Sequence, residues 1–290
     1  MDGGMSSRTE RLLARPPEPA QIEDGVGVVR LDDVACVVLA RPERHNALDL
    51  AAWRRIAAIF TELRAAQDLA CVVVRGAGER AFGAGADIHE FAQVRMSPRA
   101  ALDYNESIAE ALQSVARLPQ PVIAMIGGLA VGGGCELAAA CDVRLAGARA
   151  RFGIPIGRLG VTLGYTEAEA LARIIGIDML KYLLFSGDLI DAAEALRIGL
   201  VHRVAEPEEL PGQTARLVER IRAGSGVTMR AAKAVAQMCG RPLRPDDTDQ
   251  LTRFAVEAYG GSDLREGVAA FIEGRAPRFA GEREDEHGRA

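Results

Sequence analysis

Two stretches of this sequence gather small residues around groups that can do chemistry. One is Ala81-Phe82-Gly83-Ala84-Gly85-Ala86-Asp87-Ile88-His89. The other is Ile126-Gly127-Gly128-Leu129-Ala130-Val131-Gly132-Gly133-Gly134-Cys135-Glu136-Leu137. Residues this small let a backbone come close to a ligand. Nucleotide motifs fail in both stretches. A P-loop needs Lys and Ser or Thr after its closing Gly, but Gly132 is followed by Gly133 and Gly134. A dinucleotide fingerprint needs Gly in the sixth place, but Gly83 and Gly85 lead to Ile88. There is no GxSxG elbow for a hydrolase nucleophile.

Two small-residue loops, each following a strand, suit another task. They can aim two backbone N–H groups at one carbonyl oxygen. Such an oxyanion hole stabilises an enolate formed from a thioester, and each donor contributes about 3–4 kcal/mol. The second loop opens into a helix, whose N-terminal partial positive charge would point the same way. Glu136 lies in the first turn of that helix, where a carboxylate reaches the α or β carbon of such a substrate. The same spacing equally fits two plain tight turns, with Glu136 as a first-turn dipole partner.

The surrounding elements must place these loops. Residues 26–31 and 34–39 are β-rich runs separated by Asp32-Asp33, which predicts a hairpin. Asp49 caps a helix to about residue 66, with Trp53, Ile56, Ile59, Phe60 and Leu63 at helical spacing. Residues 69–75 form an apolar strand. Ser97-Pro98 starts a helix that buries Leu102, Ile108, Leu112, Val115 and Leu118. Residues 121–126 read as a strand, 133–140 as a helix and 142–146 as a strand, which is α/β order. From Glu167 onward the pattern is helical. Residues 1–21 are expected to be a disordered leader and 281–290 a frayed, charged tail.

Composition excludes several classes. The net charge of -5 argues against a nucleic-acid binder, which would carry a basic stripe. No apolar run is long enough to span a membrane. The five cysteines are odd in number and lack a CxxC, so buried free thiols in the cytoplasm are expected. The four histidines are scattered, so no metal site is expected.

The chain resembles the crotonase superfamily (enoyl-CoA hydratase/isomerase) over nearly its whole length. The resemblance rests on several segments in the family's order and spacing. These are Arg41-Pro42 with Asn46-Ala47-Leu48, residues 81–89, residues 132–137 with Cys141-Asp142, and Phe152-Gly153 with Leu159-Gly160. Leu184-Phe185-Ser186-Gly187 with residues 192–204, and residues 266–271, complete the set. The resemblance implies an α/β spiral of ββα units over residues 22–205. It also implies a helical C-terminal region, 206–280, that supports a homo-trimer or hexamer.

The implied ligand is an acyl-CoA thioester, with no separate cofactor because CoA enters with the substrate. By position, the oxyanion N–H groups fall on Ala86 and Gly133, and the first catalytic glutamate falls on Glu136. Arg44, Ala47, Ala84, Asp87, Ile88 and His89 fall where the family holds the adenine and pantetheine. Phe279 falls where a C-terminal aromatic packs near the nucleotide, often that of a neighbouring subunit.

Two departures stand out. The family's hydratases usually read Phe-Gly-x-Pro-Glu, whereas this chain reads Phe152-Gly153-Ile154-Pro155-Ile156. The second glutamate is thus Ile156, an apolar wall of the acyl pocket. His89 stands where the family often has Lys. A single carboxylate suits hydration with a proton taken from water, double-bond isomerisation, or other enolate chemistry on acyl-CoA such as decarboxylation or thioester hydrolysis. Loss of the second one also suits an acyl-CoA binder without catalysis. Tyr165, Glu167 and Glu169 are candidate replacement acids, or else plain helix-start and surface residues.

Overall fold

Strands arise where β-branched residues run together, and the computed structural model describes residues 7–66 and 68–279. In chain order the strands are β1 (Ile22–Glu23), β2 (Val26–Leu31), β3 (Val34–Leu39), β4 (Cys71–Gly76), β5 (Ala81–Gly83) and β6 (Val122–Ile126). They continue with β7 (Leu129–Val131), β8 (Val143–Gly147), β9 (Arg151–Gly153), β10 (Ile190–Asp191) and β11 (Arg203–Ala205). The helices are α1 (Arg8–Ala14), α2 (Leu50–Ala65), α3 (Phe91–Val94), α4 (Pro98–Ala116), α5 (Gly133–Ala140) and α6 (Tyr165–Ile175). They continue with α7 (Ile177–Ser186), α8 (Ala192–Arg197), α9 (Leu210–Arg222), α10 (Gly226–Met238), α11 (Pro245–Gly260) and α12 (Ser262–Glu273).

A large sheet has the order β1-β2-β3-β4-β6-β8-β11, and a small one β10-β9-β7-β5. β2 and β3 form the expected hairpin, with Asp32 at φ 51° in its turn. From β3 to β11 the large sheet is parallel. Along β3, Ala35, Val37 and Leu39 enter one core, while Val34, Cys36 and Val38 enter the other. Covered on both faces, such a strand reads as an unbroken apolar run. Trp53 and Phe60 of α2 and Tyr104 of α4 fill the first core, and Leu13 of α1 and Val218 of α9 fill the second.

The chain repeats one unit: a large-sheet strand, a small-sheet strand, then helix. β4 and β5 lead to α3 and α4, β6 and β7 to α5, and β8 and β9 to α6. This is the crotonase-type α/β spiral of ββα units. β5, β7 and β9 are parallel neighbours, so their C-terminal ends lie side by side. Both small-residue turns leave from those ends, and the sheet thereby brings them together.

Three expectations are corrected. The leader is not structureless from residue 8: Arg8–Ala14 is helical, and the Ser7 side chain accepts from the Glu10 N–H. Leu12 and Leu13 are buried in the second core, and Thr9 donates to Glu219 of α9. One short apolar pair is enough to dock a two-turn helix when a sheet face is otherwise open. The boundary at 205/206 falls inside this packing, because α9 contacts α1, β4, β6 and β8. Leu102 is 65% exposed, and Tyr104 takes its place in the core. At 100° per residue, Leu102 lies about 200° from Tyr104, whose face continues through Ile108, Ala111 and Val115. The charged tail at 281–290 lies outside the described residues.

Candidate active site

β7 ends at Val131, Gly132 turns at φ 51°, and α5 begins at Gly133. The Gly132 N–H donates to the Gly153 carbonyl at 2.8 Å, which ties this turn to β9. The neighbouring turn crosses at Gly85, with φ 95°. A β-carbon on Gly85 would lie 2.9 Å from the Val131 carbonyl oxygen and 3.4 Å from the Gly133 nitrogen. Only glycine satisfies both that φ and that approach.

The directions of two N–H groups follow. Gly133 is the first residue of α5, so its N–H has no acceptor inside the helix. Leu48 donates to the Gly85 carbonyl at 2.8 Å, and its own carbonyl accepts from Asp87 at 2.8 Å. In a trans peptide the N–H points opposite to the preceding C=O. The Ala86 N–H therefore points away from Leu48. Ala86 and Gly133 both line one cavity of about 310 Å³.

Glu136 lines that cavity and is 6% exposed. Its helix is buried throughout and packs against α4, α6, β5 and β7. Burial first, and the charge of Glu167 second, push the Glu136 carboxyl up to about 8 against the pull of Arg95. A carboxyl so placed can hold or release a proton near neutral pH. Ile156 lines the same cavity and packs on the core.

The candidate replacement acids separate cleanly. Tyr165 is exposed, and Glu169 pairs with Arg173 at 2.9 Å on the surface. Glu167 is 3% exposed and lines the Glu136 cavity. Burial raises its carboxyl as well, opposed by its own backbone N–H and by Arg95. Arg95 is a cavity residue that the sequence did not mark, being one arginine in a polar stretch. It lies over Phe91 and Tyr104 at 4.9 and 4.7 Å and donates to Asn105 Oδ1 at 2.5 Å.

Residues 30–282 match the family model described as enoyl-CoA hydratase/isomerase. The chain belongs to this family. A short-chain-enoyl-CoA hydratase of Clostridium acetobutylicum is 35% identical over 246 residues, spanning 83% of this chain and 92% of the relative. A crotonyl-CoA hydratase of Syntrophomonas wolfei is 34% identical over 252 residues, spanning 86% and 95%. A crystal structure of an enoyl-CoA hydratase/carnithine racemase from Magnetospirillum magneticum superposes with a TM-score of 0.85 at 37% identity. It covers 90% of this chain and 97% of the other.

Around the cavity of this enoyl-CoA hydratase/isomerase family member, the other expected residues divide. Ala84 and Ile88 line it. Asp87 is buried and fixes its loop, accepting from Arg41 at 3.0 Å, from Arg44 at 2.7 Å and from the His89 N–H at 3.2 Å. Burial opposes its ionisation, but those donors hold the Asp87 carboxyl below its usual value. The Ala47 carbonyl accepts from Arg41, so Ala47 belongs to the same clasp. Asn46 locks the clasp to the strands, donating to the Ala77 and Ala81 carbonyls at 3.0 and 2.7 Å. His89 is exposed and does not line the cavity. Phe279 is not brought to this cavity; it faces Gly267 in a separate groove among α10, α11 and α12. His202 is structural, its Nδ1 accepting from the Arg144 N–H at 3.1 Å.

Proposed function

We propose that this chain adds water across the double bond of an enoyl-CoA thioester, or removes it in reverse. One observation carries the reading: a buried carboxyl, Glu136, lines the same cavity as Ala86 and Gly133. The thioester oxygen accepts from the Ala86 and Gly133 N–H groups as enolate charge develops, and α5 adds its N-terminal partial charge. Glu136 moves protons at the α and β carbons. Hydratase names among relatives more than 30% identical support the same reaction class.

The CoA moiety enters past Ala84 and Ile88, and the 44–47 and 84–89 loops hold its adenine and pantetheine parts. No further cofactor is required, because CoA arrives with the substrate. Assembly is a homo-trimer or hexamer, in which Phe279 packs near a nucleotide across a subunit boundary. The setting is cytoplasmic, in keeping with Cys36, Cys71, Cys135 and Cys141 as buried free thiols.

Ile156 favours a second reading, double-bond isomerisation, because an apolar wall keeps attacking water away from the acyl chain. Incubation with a panel of enoyl-CoA esters, followed by mass analysis, separates the two. Gain of one water is expected. A moved double bond at unchanged mass would instead indicate the isomerase. Tight binding with neither product would indicate an acyl-CoA binder without catalysis.

A further inference from the structure

We propose that Glu167 is the second acid–base group of this site, supplied by α6 in place of the carboxylate that Ile156 lacks. The inference rests on the hydratase reading above and names a catalytic residue for it.

Four observations carry the assignment. Glu167 and Glu136 line one cavity although they stand on different helices, α6 and α5, which pack together. Glu167 is 3% exposed, and its Oε2 has no hydrogen-bond partner among the described residues. A buried carboxylate oxygen without a partner is costly, and such groups concentrate where function requires them. Its position is shaped by the backbone: a β-carbon on Gly164 would lie 2.4 Å from that same Oε2. Glycine at 164 thus leaves room for the carboxylate to fold back over the start of α6. Finally, Arg95 lines the cavity and acts electrostatically on both carboxyls, so one negative charge in the pair has a cation nearby.

Glu167 lines the cavity together with Ile156 and Leu163.

Burial raises both carboxyls, and the reaction needs one of the pair protonated and the other charged. The charged member accepts a proton from water as the water oxygen bonds to the β carbon. The π electrons of the double bond move toward the thioester, giving the enolate. As the carbonyl re-forms, the α carbon takes the proton held by the other carboxyl. One carboxyl is again protonated and the other charged, with their roles exchanged. One water has been added and nothing has been oxidised or reduced.

The test begins with wild-type turnover of an enoyl-CoA. Its absence would overturn the hydratase reading and this inference together. Given turnover, Glu167→Gln should lower kcat by roughly 10²–10⁴-fold with KM within about threefold of wild type. Adding Ile156→Glu to that variant should recover at least about tenfold of the loss, a rescue that a purely structural role would not show. Glu167→Gln with at least half of wild-type kcat would overturn the assignment while leaving the hydratase reading intact. A second measurement needs no variant. A 2,3-epoxyacyl-CoA is opened by a carboxylate at the reacting carbons, leaving an ester that peptide mass mapping locates. Esters on both Glu136 and Glu167 are expected, and an ester confined to Glu136 would overturn the proposal.

Discussion

The Gly83 carbonyl oxygen lies 1.9 Å from where a β-carbon on Gly134 would stand. The end of β5 and the first turn of α5 are in direct backbone contact there, and no side chain fits between them. Gly134→Ala is expected to push α5 away from β5, destabilising the chain by about 1–3 kcal/mol. For a chain of this size that lowers Tm by roughly 2–4 °C per kcal/mol. Turnover should fall further than stability alone explains, because the Ala86 and Gly133 N–H groups separate. Calorimetry and kinetics on the same preparation check both.

Glu136→Gln keeps shape and polarity but cannot transfer a proton. Its kcat should fall by roughly 10²–10⁴-fold with little change in KM. Full activity would remove Glu136 from the chemistry.

The same substitution reads out stability against pH. Burial, then Glu167, raises the folded Glu136 carboxyl from 4.5 to about 8. Its contribution is therefore fully present below 4.5, is lost as pH rises toward 8, and is constant above. The slope is at most about 1.4 kcal/mol per pH unit. Glu136→Gln should gain Tm over wild type as pH climbs through that window. Parallel melting series at several pH values check this, and a constant difference would contradict it.

Asp87 behaves with the opposite sign. Its carboxyl is held below 3.8 by the Arg44 and His89 N–H bonds and by Arg41, against burial. The stability it supplies is present above 3.8 and is lost as pH falls through the lower, folded value. Asp87→Asn should cost about 1.5–3 kcal/mol at neutral pH, the range for hydrogen bonds to charged groups. The cost should shrink in acid. Because the clasp holds the 44–47 and 84–89 loops together, affinity for CoA should drop in the same variant, measured by calorimetric titration.

The C-terminal helices leave Val256, Tyr259, Phe271 and Ile272 at least 70% exposed within one chain. An apolar surface of that kind calls for a partner face. Light scattering should give a trimer or hexamer, and Phe271→Glu should shift it toward the monomer. A monomeric wild type at micromolar concentration would contradict the assembly.

Much of this architecture is local, and local signals were legible in the residues. Asp49 and Ser97 cap α2 and α4 through their own side chains, accepting from Ala52 and Ala100. The hairpin of β2 and β3 and the span of α5 follow from alternation, turn residues and a run of glycines, all within a few positions of one another. Glu136 was legible for the same reason, since its place in the first turn of α5 is fixed by the three glycines before it. Other features are long-range. Thr9 and Leu13 dock α1 on α9, about 200 positions away, and nothing in residues 1–21 announces that sheet face. In the sequence Glu167 is one of three candidate acids and Arg95 an ordinary surface charge, until α6 packs on α5 and both line one cavity. Sequence fixes spacing along one element, and so determined the two loops and the carboxylate between them. Which side chains share a cavity depends on how separate elements pack, so only the tertiary structure decided that a second carboxyl lines the cavity of Glu136.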